Sequence, residues 1–140
     1  MRRVLAMAIL SLFAPIALAD TEIRKGGSSW AVLENDGTVR IGGSAVGKVE
    51  TDGTVRKGGS SIGQVESDGT IRANGSSVGR VESDGTLRKN GSTVGRIEDD
   101  GTIRFDGSTW GRASDCCGDF GSKRSVAAVI WFFSDDAHVK

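Results

Sequence analysis

Apolar residues recur along this chain with a period of 16 residues, beginning at Ile23. One unit reads Val55-Arg-Lys-Gly-Gly-Ser-Ser-Ile-Gly-Gln-Val-Glu-Ser-Asp-Gly-Thr70, and the next, starting at Ile71, repeats it almost residue for residue. The equivalent arginines Arg24, Arg40, Arg56, Arg72, Arg88 and Arg104 mark six copies, the last diverging after Gly111. Five Asp-Gly loops separate them. Self-similarity at a fixed period outranks any local motif as a guide to architecture.

Each unit carries two reversal signals. A two-residue primed turn at Asn74-Gly75 pairs Ala73 with Ser76, Arg72 with Ser77 and Ile71 with Val78. A three-residue loop over Ser67, Asp68 and Gly69, its glycine in the left-handed region, pairs Glu66 with Thr70 and Val65 with Ile71. Val65, Ile71 and Val78 then share a face. Val81 breaks the alternation, because in a regular strand it lies on the side opposite Val78. A bulge at Gly79 restores the common face, and glycine recurs at Gly47, Gly63, Gly95 and Gly111. Ala31 departs from the series and predicts a different bend in the first copy.

The inner face is thus expected to consist of triplets such as Val39, Val46 and Val49, then Val55, Ile62 and Val65, and so on to Leu87, Val94 and Ile97. Arg, Glu, Thr and Ser take the outer face. Burial is worth about 1.5–3 kcal/mol per apolar side chain, against roughly 1–2 kcal/mol of ordering entropy per residue, so no unit is stable alone. The units must share a core. Two all-β arrangements supply one: a ring of antiparallel β-hairpins or a β-solenoid. A solenoid stacks Arg56 on Arg72 and Glu66 on Glu82 at about 4.8 Å, which is repulsive. A ring sets Glu66 diagonal to Arg72, and both turn signals belong to antiparallel neighbours. The ring is the expected fold.

Repeats occupy residues 20–113, a polar linker with the pair Cys116-Cys117 spans 114–125, and residues 126–140 hold a hydrophobic segment and a polar end. Val126, Val129, Ile130, Trp131, Phe132 and Phe133 lie in the most hydrophobic stretch outside the N-terminus. That stretch has high β-propensity and is too short to span a bilayer as a helix. Exposed, it would aggregate, so it is expected to fill the centre of the ring. Trp30 and Trp110 replace Val46, Ile62, Val78 and Val94 in the first and last copies, and suit closure of the ring.

Residues 1–19 combine Arg2 and Arg3, an apolar run and Ala17-Leu18-Ala19, the pattern of a signal peptide cleaved after Ala19. This predicts export to the periplasm or the medium. Position 20 is Asp rather than a lipid-accepting Cys. The chain has 18 basic and 18 acidic residues, which argues against a nucleic-acid partner. Its 21 glycines against one proline fit regular turns better than disorder.

Asn90-Gly91-Ser92-Thr93-Val94-Gly95, Asp52-Gly53-Thr54-Val55-Arg56 and the tail Ala127-Ala128-Val129-Ile130-Trp131-Phe132-Phe133 together resemble the secreted five-fold beta-flower proteins, a bacterial-type family. The resemblance covers nearly the whole chain. It implies a petal-like β architecture of about five hairpins and brings no established activity or catalytic residues. Cys116-Cys117 and Ser134–Lys140 follow no motif of that family.

Candidate chemistry is sparse. His138 has no local Ser or Cys partner for nucleophilic catalysis. The repeated carboxylates have turn or surface-pair roles in every unit. Asp99-Asp100-Gly101 lacks the alternating ligands of a calcium loop. Export makes a disulfide expected at Cys116 and Cys117, either between the two neighbours or to a second chain in a homodimer, and a metal would need further ligands. The rows Arg40, Arg56, Arg72, Arg88, Arg104 and Glu50, Glu66, Glu82, Glu98 form a candidate face for a periodic envelope polysaccharide. The expected protein is therefore an exported, non-enzymatic structural or interaction module of the cell envelope or medium, without cofactor or metal. The alternatives are a glycan-binding module and a membrane-active protein using its hydrophobic segment.

Overall fold

A computed structural model describes residues 20–140. Residues 1–19, expected from their pattern to be a signal peptide, lie outside the described residues. The strands are β1 (Thr21–Lys25), β2 (Ser28–Leu33), β3 (Thr38–Ile41), β4 (Ser44–Val49), β5 (Thr54–Lys57), β6 (Ser60–Val65), β7 (Thr70–Ala73), β8 (Ser76–Val81), β9 (Thr86–Lys89), β10 (Ser92–Ile97), β11 (Thr102–Phe105) and β12 (Ser108–Ala113). They form one closed antiparallel barrel in sequence order, followed by a helix, α1 (Phe120–Phe133).

The turn chemistry dictates this order. Asn74 and Gly75 have φ of 52° and 83°, the two positive values that a primed turn requires. Gly69 has φ of 95° and donates its N–H to the Glu66 carbonyl, closing the three-residue loop. Both registers therefore run antiparallel, with Val65 opposite Ile71 and Ala73 opposite Ser76. Side-by-side stacking of units, as in a solenoid, does not occur. Closure comes from β12 pairing with β1, Ile23 opposite Ala113 and Lys25 opposite Gly111, which removes every strand edge. The ring has six tight-turn hairpins rather than about five, because this seam takes the place of a sixth Asp-Gly loop.

The bulge falls where glycine marks it. Val78 is the extra residue between the pairs Arg72–Ser77 and Ile71–Gly79, so Gly79, not Val78, is the partner of Ile71. The first copy bulges in the same way with Ala31 in the glycine position, opposite Ile23, so the different bend expected there is absent. Of each apolar triplet only two members are fully inside. Val39, Val55, Ile71 and Leu87 are buried, and so are Val49, Val65, Val81 and Ile97, with Val49, Val65 and Val81 opposite Val55, Ile71 and Leu87. Val46, Ile62, Val78 and Val94 are half-buried. The place they were expected to fill belongs to the glycines, which leave sockets for aromatic rings. A Cβ at Gly79 would stand 2.5 Å from Trp131, and Gly63 and Gly47 face Phe132 and Phe133 in the same manner. Phe105, from β11, fills the socket of Gly95.

The hydrophobic tail is the core of the barrel, but as a helix rather than an extended segment. Inside a closed barrel an extended chain finds no free edge to satisfy its N–H and C=O groups, whereas a helix satisfies its own. The helix starts at Phe120, ahead of the hydrophobic stretch and within the segment expected as a linker, because Asp119 caps it. Val126, Ala127, Ala128, Val129, Ile130 and Trp131 are buried. Trp30 and Trp110 meet edge to face at 5.8 Å across the seam.

Candidate functional site

The Asp-Gly loops ring the end of the barrel where α1 enters. In each, the aspartate caps its own loop. Asp36, Asp52, Asp84 and Asp100 accept the N–H of the threonine two residues on at 2.9 Å, and Asp68 does so at 3.0 Å. That backbone bond, aided by the threonine hydroxyl, holds these carboxyls below their ordinary pKa of 3.8. Gly69 is obligatory twice over, since its φ is positive and an added Cβ would strike the Val81 carbonyl oxygen.

Residues 114–119 cross this mouth from β12 to α1. Cys116 and Cys117 are bridged to each other, so both sulfurs are used within the chain. Left-handed backbone flanks the bridge at Asp115 (φ 53°) and occurs at Cys117 itself (φ 97°), and Cys117 is fully buried. Asp119 then accepts the N–H of Ser122 at 3.0 Å and its hydroxyl at 2.6 Å. The hydroxyl first, then the N–H, lowers the Asp119 pKa. Lys123, although buried, reaches Asp99 on the rim at 2.5 Å and ties the helix to the last Asp-Gly loop. Asp99 and Asp100 are therefore engaged by Lys123 and Thr102.

Between the vicinal disulfide and the first two Asp-Gly loops opens a cavity of about 720 Å³. Glu34, Asp36, Glu50, Asp115 and Asp119 are the acidic residues of its lining, and Leu33, Val49, Val65 and Val126 the aliphatic ones. Glu34, Glu50, Asp36 and Asp119 also hold Arg40, Arg56, Thr38 and Ser122. Arg124 is the one basic side chain of the lining. Its guanidinium lies over Phe120 at 5.1 Å and donates to the Glu66 carbonyl at 3.5 Å, while its Nε is buried without a hydrogen-bond partner. The site offers acceptors, one delocalised cation and apolar side chains, the elements of a binding pocket. No group of three or more His, Cys, Asp or Glu among the described residues is arranged to hold a metal ion.

The candidate polysaccharide face lies elsewhere, on the outside of the wall. Arg40, Arg56, Arg72, Arg88 and Arg104 pair through Nε with Glu34, Glu50, Glu66, Glu82 and Glu98 at 2.7–2.9 Å, and Arg24 pairs with Glu22 at 3.2 Å. Each ligand candidate on this belt already has an intramolecular partner. Glu34 and Glu50 belong both to the belt and to the mouth. His138 sits far along the chain from the mouth residues, against Phe105 at the tight-turn end. The sequence reading missed the mouth as a site, and the only signal for it was the Cys116-Cys117-Gly118-Asp119 run between the repeats and the hydrophobic segment.

No protein-family model, no curated protein and no solved structure matches this chain.

Proposed function

We propose that this chain is an exported, non-enzymatic carbohydrate-binding module of the cell envelope, akin to the secreted beta-flower proteins, whose ligand enters the Asp-Gly mouth. The observation that carries the reading is the mouth cavity, whose lining mixes acidic and apolar residues beside the disulfide. Such a lining suits a sugar, whose hydroxyls donate to carboxylate oxygens while its C–H faces rest on apolar surface. The phased double turn and the alanine- and phenylalanine-rich tail support the kinship, with six hairpins as a departure from it. Export rests on the pattern of residues 1–19.

A membrane-active role finds less support. The hydrophobic segment is enclosed, and the outward wall carries Arg and Glu, the reverse of a lipid-facing barrel. No helix among the described residues is long and apolar enough to cross a membrane. The test is amide chemical-shift mapping of the protein with soluble fragments of envelope polysaccharides. The expected result is saturable shifts in residues 34–37, 50–53 and 115–119. Shifts confined to the belt residues away from the mouth, Arg72, Arg88, Arg104, Glu82 and Glu98, or none across the panel, would overturn the proposal.

A further inference from the structure

Beyond α1, the chain leaves the barrel at the tight-turn end and folds onto the seam. Ser134 donates its N–H to the Ile130 carbonyl, Asp136 its N–H to the Ser134 hydroxyl at 2.9 Å, and Val139 is buried. Asp136 accepts the indole N–H of Trp110 at 2.7 Å, fixing the tail to β12. His138 completes the attachment. Its Nδ1 lies 2.5 Å from Asp136 Oδ1, its Nε2 lies 2.7 Å from Asp106 Oδ2, and its ring stacks on Phe105 at 4.9 Å with planes 12° apart.

Both ring nitrogens face carboxylate oxygens. An ionised carboxylate only accepts hydrogen bonds, whereas a neutral imidazole has one donor and one acceptor. Either neutral tautomer therefore sets a nitrogen lone pair against a carboxylate oxygen. Only the imidazolium satisfies both contacts. The repeat supplies a second, independent observation. Where the last copy has Phe105-Asp106, the preceding five have Lys25-Gly26, Ile41-Gly42, Lys57-Gly58, Ala73-Asn74 and Lys89-Asn90. The unit that departs to an aromatic followed by a carboxylate is the one that touches His138.

We propose that His138 is a proton-operated latch: the C-terminal tail stays docked across the barrel seam while the imidazolium bridges Asp136 to Asp106, and it undocks when that proton leaves. The charged groups around it are few. Asp136 on the tail and Asp106 in the β11–β12 turn face the ring directly. Lys25 of β1 lies over the Trp110 ring at 5.5 Å, and Lys140 pairs with Asp135 on the tail at 3.2 Å. The bond to Asp136 most of all, opposed by burial and reinforced by the bond to Asp106, raises the His138 pKa above its ordinary 6.5. Burial works to raise Asp136, but the bonds from His138 and Trp110 outweigh it and leave its pKa below 3.8. The docked state thus holds a proton that the free tail releases. Docking is fully supported below pH 6.5 and is lost as pH rises through the raised value of His138. At the acid end it weakens again as pH falls through the depressed value of Asp136.

The test follows the protection factor of the Trp110 indole N–H by NMR hydrogen exchange between about pH 5 and 9, a range that brackets histidine titration. Protection is expected to fall about ten-fold per pH unit from 6.5 up to the docked midpoint and then level off, while wall amides keep theirs. Asp106→Asn separates the latch from mere packing. Its side-chain amide can donate to Nε2 of neutral His138, and Asn already occupies this turn position at Asn74 and Asn90 with φ of 52° and 51°. That variant is expected to stay docked to higher pH with a smaller pH step, the remainder coming from the bond to Asp136. A pH-independent indole in the unchanged protein, or the same step in Asp106→Asn, would overturn the latch.

Discussion

The wall of this barrel and the helix inside it are built on opposite plans. The wall says one thing six times, with small apolar residues inside and Arg–Glu pairs outside. The helix occurs once, and consecutive residues of it do different work: Trp131, Phe132 and Phe133 enter the sockets of Gly79, Gly63 and Gly47. A repeat cannot fill its own centre, because any bulky side chain it acquired would be copied around the ring and collide at the axis. The wall therefore keeps glycine where the rings belong; the non-repeating segment fills three of these sockets, and Phe105, an aromatic found at its position in the last copy alone, fills a fourth. Asymmetry in the plug is what gives the symmetric wall a unique interior.

Deleting residues 126–133 breaks this division of labour most completely. The expected outcome is no cooperative thermal unfolding by circular dichroism, because the buried side chains of Val39, Val55, Ile71 and Leu87 would face an empty lumen. Trp131→Ala comes next, with an expected loss of about 3–5 kcal/mol in chemical denaturation, whereas Val78→Ala, at a half-buried wall position, should cost clearly less. Equal costs for the two would put the plug and the half-buried wall positions on the same footing. Gly79→Ala should cost about 1–3 kcal/mol, since the added methyl meets both the Arg88 carbonyl and the Trp131 ring. Arg72→Ala should change stability by less than about 1 kcal/mol, as expected of an exposed pair whose charges are screened. Acid titration sharpens the comparison from the wall side. The loop aspartates have depressed pKa values, so their contribution is present above pH 3.8 and is lost as pH falls through those values. Asp68→Asn should therefore flatten part of the acid branch of a stability–pH curve.

Much of the wall was legible in the sequence because its signals are local. Asn74-Gly75 and Asp68-Gly69 specify their turns, the turns fix the register, and the register sets Glu66 beside Arg72. The half-buried state of Val78 was not legible, since the bulge that displaces it also turns Gly79 toward Trp131. The helical form of the plug was hidden for a related reason. Val126, Val129 and Ile130 are β-branched, and a helix buried on all sides shows no amphipathic stripe. Closure of the wall decides the matter, because it leaves no strand edge to join. The mouth and the His138 contact were hidden too, since each depends on the path of the chain through the barrel and joins residues far apart in sequence.

Native-state hydrogen exchange of the helix amides Ala128 to Trp131 tests most directly whether the plug is the core. The account predicts that they exchange only with global unfolding, at the same free energy as the wall amides of Ile71 and Val81. Helix amides that exchange orders of magnitude faster, while the wall stays protected, would contradict it.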